Sequence, residues 1–321
     1  MTMPESRRRK LDMLMRSLAR KGAAGAGELL RVHGHSGVNR AARGAVGPGS
    51  DVTGGVGTSA GRLGGPVALD EACRGAAARV RLPGGAVGEY YLIRRTLAEV
   101  APQLVEVGRQ YAAVMKGARQ ILSEDSALTA SPELCRLADA RGEDLLFMDT
   151  ETCGLTGAMV FLAGMMRYED GQFVFEQCLA RDYSQEPAVL AAFMDRLDSA
   201  GMLVTFNGKA FDMNLIRERS AFHGLGLGPR EVPHLDLLHE SRRRWKSEVP
   251  NCKLQTLERL LCGRRRVGDI PGPEIPEAYH RFVASGDARQ VADIIHHNLL
   301  DLLTMAQLVT AILTGSGPLA Q

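Results

Sequence analysis

Asp149 and Glu151 stand two residues apart at the end of the apolar run 145–148, in the string DLLFMDTET. On a strand, residues i and i+2 share a face, so both carboxylates are expected to point the same way at the edge of a core. Two anionic groups held side by side repel one another unless a divalent cation lies between them, which makes the pair a candidate for a metal site. Two further carboxylates fall near element ends far along the chain: Asp212 in TFNGKAFD, at the start of an expected helix, and Asp301 in HHNLLD, on an expected final helix. Four such groups could hold two metal ions. Alone, Asp212 is equally a helix cap or dipole partner, and Asp301 a surface charge.

Around Asp212 the string FNGKAF offers groups that could grip a substrate. Asn207 can hydrogen-bond a sugar or phosphate, Gly208 permits close approach, and Lys209 can meet a phosphate. Phe206 and Phe211 can stack on a base but are read as core residues. Farther on, Arg242, Arg243, Arg244 and Lys246 flank Trp245, the one tryptophan of the chain. A basic run with a single aromatic is either a solvated helix face or a nucleic-acid contact, with Arg243 and Trp245 as the contacting residues. The arginines at 264–266 form a second such cluster. Asp236, between apolar neighbours, is expected to bond backbone or Arg groups rather than act as a fifth ligand.

Periodicity supplies the elements that must carry these residues. Strands are expected at 144–149, 159–166 and 172–180, and EDG at 169–171 is a tight-turn signal that makes the second and third an antiparallel hairpin. A helix over 187–199 opens on a proline, whose missing N–H costs nothing there. A buried strand at 202–206, a helix through KAFDMNLIRERSAFHG stopped by Gly224, a strand at 234–239, a helix at 253–262 and a long helix at 288–312 follow. The predicted class is α/β: a mixed five-stranded sheet flanked by helices, three strands antiparallel and two helix-linked and parallel, as in the ribonuclease H-like fold.

At 321 residues, 45% hydrophobic and 24% charged, the chain has the composition of a soluble globular protein. No apolar run approaches the ~20 residues of a membrane span. The basic stretch SRRRKLDMLMRSLARK lacks the apolar core and cleavage site of a signal peptide, so a cytoplasmic protein is expected. Six cysteines without a CxxC pair argue against a zinc knuckle or a disulfide framework. Residues 1–88 carry 14 Lys/Arg and 6 Asp/Glu, a net of +8 against −6 for the remainder, and residues 21–88 hold 18 of the 36 glycines. That stretch is expected to stay unordered as a basic, Gly/Ala-rich tail, either attracted to nucleic-acid phosphates or a solvated linker. Residues 89–140 read as a small preface and 141–315 as the main domain.

The set DTETCGL, TFNGKAFD and HNLLD resembles the DEDD superfamily of 3′-to-5′ exonucleases. The strings HLDLLHESRRRWK, NCKLQTLERLLCG, DIPGPEIPEAYHRF and HHNLLDLLTMAQL are similar to its YprB-like branch. The resemblance covers about 88–313. It implies two Mg²⁺ or Mn²⁺ ions, with Asp149 bridging both, Glu151 and Asp301 on the ion beside the attacking oxygen, and Asp212 holding the other through water. Relatives place a Tyr four residues before the last Asp or a His five before it. Here those positions are His297 and His296, and His297, which shares a helix face with Asp301 at that spacing, is favoured as the base. The implied activity is hydrolysis of DNA or RNA phosphodiester bonds from a single-stranded or frayed 3′ end. A resolvase-like endonuclease and a binding module without turnover are the alternatives.

Overall fold

The computed structural model describes residues 65–124, 130–154, 158–226 and 229–318. Its strands are β1 (Ala76–Arg81), β2 (Val87–Thr96), β3 (Leu145–Thr152), β4 (Val160–Glu169), β5 (Gln172–Leu179), β6 (Met202–Thr205) and β7 (His234–Asp236). They form one sheet in the order β1-β2-β5-β4-β3-β6-β7. β4 runs antiparallel to both β3 and β5, while β6 and β7 run parallel to β3, so the predicted mixed α/β arrangement is present. The β4–β5 hairpin turns on Asp170 and Gly171, both at positive φ, as a two-residue hairpin on Asp-Gly requires.

The sheet has seven strands rather than five. EYYLIRR, read as a β-prone run in a small preface, is the body of β2 but joins the main sheet beside β5, with Tyr91 opposite Leu179. β1 lies within the stretch 65–88 that was expected to be unordered. Its sequence is AAARVR, half alanine, and Val80 alone among these residues is buried, so composition hid it. Backbone pairing with β2, Ala76 opposite Leu92, holds it at the sheet edge. The rest of the expected tail, residues 1–64, lies outside the described residues. β7 stops at Asp236 because that carboxylate accepts the Leu238 N–H at 3.0 Å and starts a helix, so 237–239 are helical, not extended.

The helices are α1 (Leu69–Cys73), α2 (Leu97–Val100), α3 (Val105–Glu124), α4 (Pro132–Asp139), α5 (Glu186–Asp198), α6 (Asp212–Phe222), α7 (Leu237–Trp245), α8 (Leu254–Leu261), α9 (Ile275–Ser285) and α10 (Arg289–Thr314). Sequence reading passed over α9, although Ile275, Ala278, Tyr279 and Phe282 repeat at helical spacing and are buried. No helix among the described residues is long and apolar enough to cross a membrane.

Strand alternation sorts the core into two clusters. Leu146 and Met148 pack with Phe193 of α5, Ile216 of α6, Tyr279 of α9 and Ile294 and Ile295 of α10. Leu145 and Phe147, on the opposite face, pack with Tyr111 of α3, Trp245 of α7, Leu257 of α8 and Leu302 and Leu303 of α10. α10 therefore serves both clusters, the first through Ile295 and the second from Leu299. His297 and Asn298 fall at that handover, with Asp301 one turn on.

Candidate functional site

Asp149 and Glu151 lie on the β3 face that carries Leu145 and Phe147, near the strand's C-terminal end, and both keep partial access to solvent. α10 comes down on this end. Its Asn298, fully buried, donates its amide to Asp149 Oδ2 at 2.9 Å, and Gln177 of β5 donates to Asn298 Oδ1 at 2.9 Å, fixing which way the amide faces. The approach is possible because the residue opposite Asp149 on β4 is Gly164, where a Cβ would stand 1.8 Å from Asn298 Oδ1.

His297 and Asp301 share a face of α10, as their spacing predicts, with His297 Nε2 at 3.5 Å from Asp301 Oδ2. The helix is regular from Arg289, so five residues do not bring His296 onto that face. His296 makes no hydrogen bond or ion pair with these carboxylates, and burial pulls its pKa below the ordinary value. Burial also works against charging His297, but the hydrogen bond with Asp269 and the charges of Asp301 and Glu151 outweigh it and hold that imidazole above its ordinary pKa.

Asp212 arrives from the other layer. It begins α6, on the face of Leu146 and Met148, and accepts a hydrogen bond from the Thr150 hydroxyl, whose side chain alternates away from Asp149 and Glu151. The end of β3 is thus gripped from both sides. Asp212 still repels Asp149 and Glu151 electrostatically.

Burial comes first in raising all four carboxyl pKa values. For Asp149 the charges of Asp301, Glu151 and Asp212 add to it, and the Asn298 amide works the other way. Glu151 is pushed up to about 8, with His297 pulling back and Asp301 and Asp212 pushing on. Asp301 is raised by burial against Arg266 and His297, and Asp212 by burial against the Thr150 hydroxyl and backbone N–H groups. Four withdrawn oxygen donors that resist ionising together have the chemistry a hard divalent cation neutralises, so the donor types suit such a cation. Among the described residues no three His, Cys, Asp or Glu side chains already stand together as a metal cluster. Three of the four carboxylates are held by donors of their own: Asp149 by Asn298, Asp212 by Thr150 and Asp301 by Arg266.

The segment between α8 and α9 adds residues that sequence reading misplaced. The arginines at 264–266 looked like a surface cluster, yet Arg264 and Arg266 turn inward. Arg264 Nε reaches Glu258 Oε1 at 2.6 Å and Arg266 reaches Glu258 Oε2 at 2.6 Å and Asp301 Oδ1, leaving Arg265 exposed. Asp269 meets His297 Nδ1 with both oxygens at 3.0 Å. Its one sequence signal was its place in the string DIPGPEIPEAYHRF.

The expected substrate contacts divide. Asp236 is 2% exposed and accepts the N–H groups of Asn207 at 2.8 Å and Lys209 at 3.1 Å, so it anchors the FNGKAF loop, as read, through backbone. Asn207 is exposed with φ 67°, and Lys209 Nζ pairs with Glu133 of α4 at 3.2 Å. Phe206 packs against the core, while Phe211 is partly exposed. Trp245 does not serve as a base-stacking residue: it is 3% exposed and packs among Leu257 and the apolar side of α10, because its face of amphipathic α7 points inward. Arg243 on the same helix is 47% exposed and lies 3.9 Å from Glu240.

A mixed sheet of this order, with carboxylates at the end of β3 and on two helices, defines an RNase H-like protein. The chain belongs to the RNase_H superfamily, whose family model matches residues 146–313. Within it the YprB-like resemblance holds: the chain is 35% identical over 170 residues to a Bacillus subtilis (strain 168) protein described as "Uncharacterized protein YprB", covering 51% of this chain and 41% of that protein. The chain thus spans less than half the length of that relative. Among solved structures, it matches the family B DNA polymerase of the hyperthermophilic archaeon Pyrobaculum calidifontis with a TM-score of 0.39 at 18% identity, over 51% of this chain and 24% of the polymerase.

Proposed function

We propose that this protein is a metal-dependent nuclease that hydrolyses phosphodiester bonds of DNA or RNA, working from the 3′ end of a single strand. The observation that supports the reading is electrostatic: the charges of Glu151, Asp212 and Asp301 act on Asp149 near the end of β3, those of His297, Asp301 and Asp212 act on Glu151, and His297 Nε2 lies 3.5 Å from Asp301. The four carboxylates are the groups that would hold two divalent cations, Mg²⁺ or Mn²⁺. Such ions, when bound, stabilise charge on the attacking and leaving oxygens of an in-line displacement. His297 Nε2, beside Asp301, is the proposed atom that takes a proton from the attacking water. Asn207 and Lys209, on a loop fixed by Asp236, and the exposed Arg243 are the proposed contacts for the sugar-phosphate chain. A carboxylate set complete in all four places supports turnover over a binding role alone.

The test is cleavage of 5′-labelled single strands with Mg²⁺ or Mn²⁺, comparing the wild type with Asp149→Ala. A ladder shortening from the 3′ end, lost in the variant by at least ~10³-fold, is expected, since charge-stabilising groups carry rate effects of that order. Internal cuts on branched or circular substrates would redirect the reading to a structure-specific endonuclease. Binding that survives both chelator and Asp149→Ala, without cleavage by the wild type, would make the protein a nucleic-acid-binding module.

A further inference from the structure

We infer that Asp269 is a positioning residue for His297, fixing its ring orientation and its proton on Nδ1 so that Nε2 is the atom presented to the attacking water. The inference rests on the nuclease reading above for its catalytic consequence, but not for its geometry.

Asp269 lies outside the helices, five residues after Arg264 and six before α9, and its carboxylate straddles His297 Nδ1 with both oxygens at 3.0 Å. An ionised carboxylate has no proton to give, so the shared proton belongs to Nδ1. In a neutral imidazole with Nδ1 protonated, Nε2 is the acceptor, and here it lies 3.5 Å from Asp301 Oδ2. A base needs one nitrogen oriented by a third group and the other able to accept, and Asp269 supplies the first of these.

Asp269 is itself held. Arg266 Nη1 lies 3.2 Å from its Oδ2, and the Arg266 guanidinium is clamped by Glu258, which is 0% exposed and also receives Arg264. The pairings with His297 and Arg266 keep the Asp269 carboxyl below its ordinary pKa even though burial opposes this. The chain therefore builds a rigid bracket behind the imidazole from a segment that contributes no group of its own to the acidic set.

The experiment has two arms. In the first, ¹⁵N-histidine-labelled protein without metal or substrate is studied by NMR in alkaline buffer, where neutral imidazoles report their tautomer, with His297→Gln identifying the resonance among the eight histidines. The His297 proton is expected on Nδ1 in the wild type and shifted substantially to Nε2 in Asp269→Ala and in the isosteric Asp269→Asn. In the second arm, kcat for oligonucleotide cleavage is expected to fall ~10–100-fold in both variants, with KM and Mn²⁺ affinity changing less than ~3-fold, the size typical of lost outer-shell orientation. A His297 tautomer unaltered in both variants overturns the inference. So does an unchanged kcat, and so does Mn²⁺ affinity falling ~10-fold or more with the tautomer intact, which would make Asp269 a ligand. If Asp269→Ala does not fold, Asp269→Asn carries both arms. Absence of cleavage by the wild type would sink the nuclease reading instead, and the NMR arm would still decide whether Asp269 positions the ring.

Discussion

Glu151 is the residue at which function and stability pull hardest in opposite directions. Its carboxyl, pushed up to about 8 by burial and by Asp301 and Asp212, binds a proton in the folded chain across a pH range where the unfolded chain, with an ordinary carboxyl pKa near 4.5, has lost it. Stability from this group is therefore fully present below the unfolded pKa and is lost as pH rises from about 4.5 to about 8. Glu151→Gln, which cannot ionise, is expected to flatten that decline and to raise unfolding free energy at pH 8 by about 1–2 kcal/mol in the presence of chelator. Urea denaturation at a series of pH values reads this directly, and a variant less stable than wild type at pH 8 would contradict the electrostatic account. Activity should move the other way, falling with loss of the negative oxygen.

Among the elements, the contact between α10 and β4 decides whether Asp149 has a partner. Gly164 is required there by closeness rather than by backbone torsion, since a methyl group would meet Asn298 Oδ1 at 1.8 Å. Asn298 is buried between Gln177 and Asp149 and has nowhere to yield without breaking both hydrogen bonds. Gly164→Ala is expected to destabilise the fold by about 1–3 kcal/mol, the usual range for overpacking, and to lower cleavage by more than its stability loss explains. Comparing kcat at temperatures well below the melting point with the urea midpoint separates the two effects. A variant as stable and as active as wild type would show that α10 can shift away from the strand freely.

For the whole molecule, the sheet's first two strands extend the fold beyond the five that carry the site. β1 covers one edge of β2, Tyr91 of β2 bonds Asp70 through its hydroxyl at 2.7 Å, and Cys73 is fully buried in the core beside it. A chain starting at residue 83, compared with one starting at residue 65, loses these contacts and exposes a strand edge. Its melting temperature is expected to fall by at least ~4 °C, with a greater tendency to aggregate, as uncovered edges promote. Equal melting temperatures would mean that β1 is an ornament of the sheet rather than part of its stability.

What the sequence determined by itself was whatever depends on local pattern. The β4–β5 hairpin, the strand bearing Asp149 and Glu151, and the four-residue spacing of His297 and Asp301 are set by alternation, turn chemistry and helical pitch, and they were legible before any coordinates. β1 was not, because AAARVR carries no apolar rhythm and the strand owes its order to a neighbour. Tertiary structure alone decided that Trp245 is core, that Arg264 and Arg266 face inward, and that Asp212 reaches the site from the opposite layer through Thr150. It alone joined Asp269 to His297 across 28 residues. The physical reason is the same in each case: the side a charged or aromatic group faces depends on what packs against its element, and periodicity reports only that a side exists.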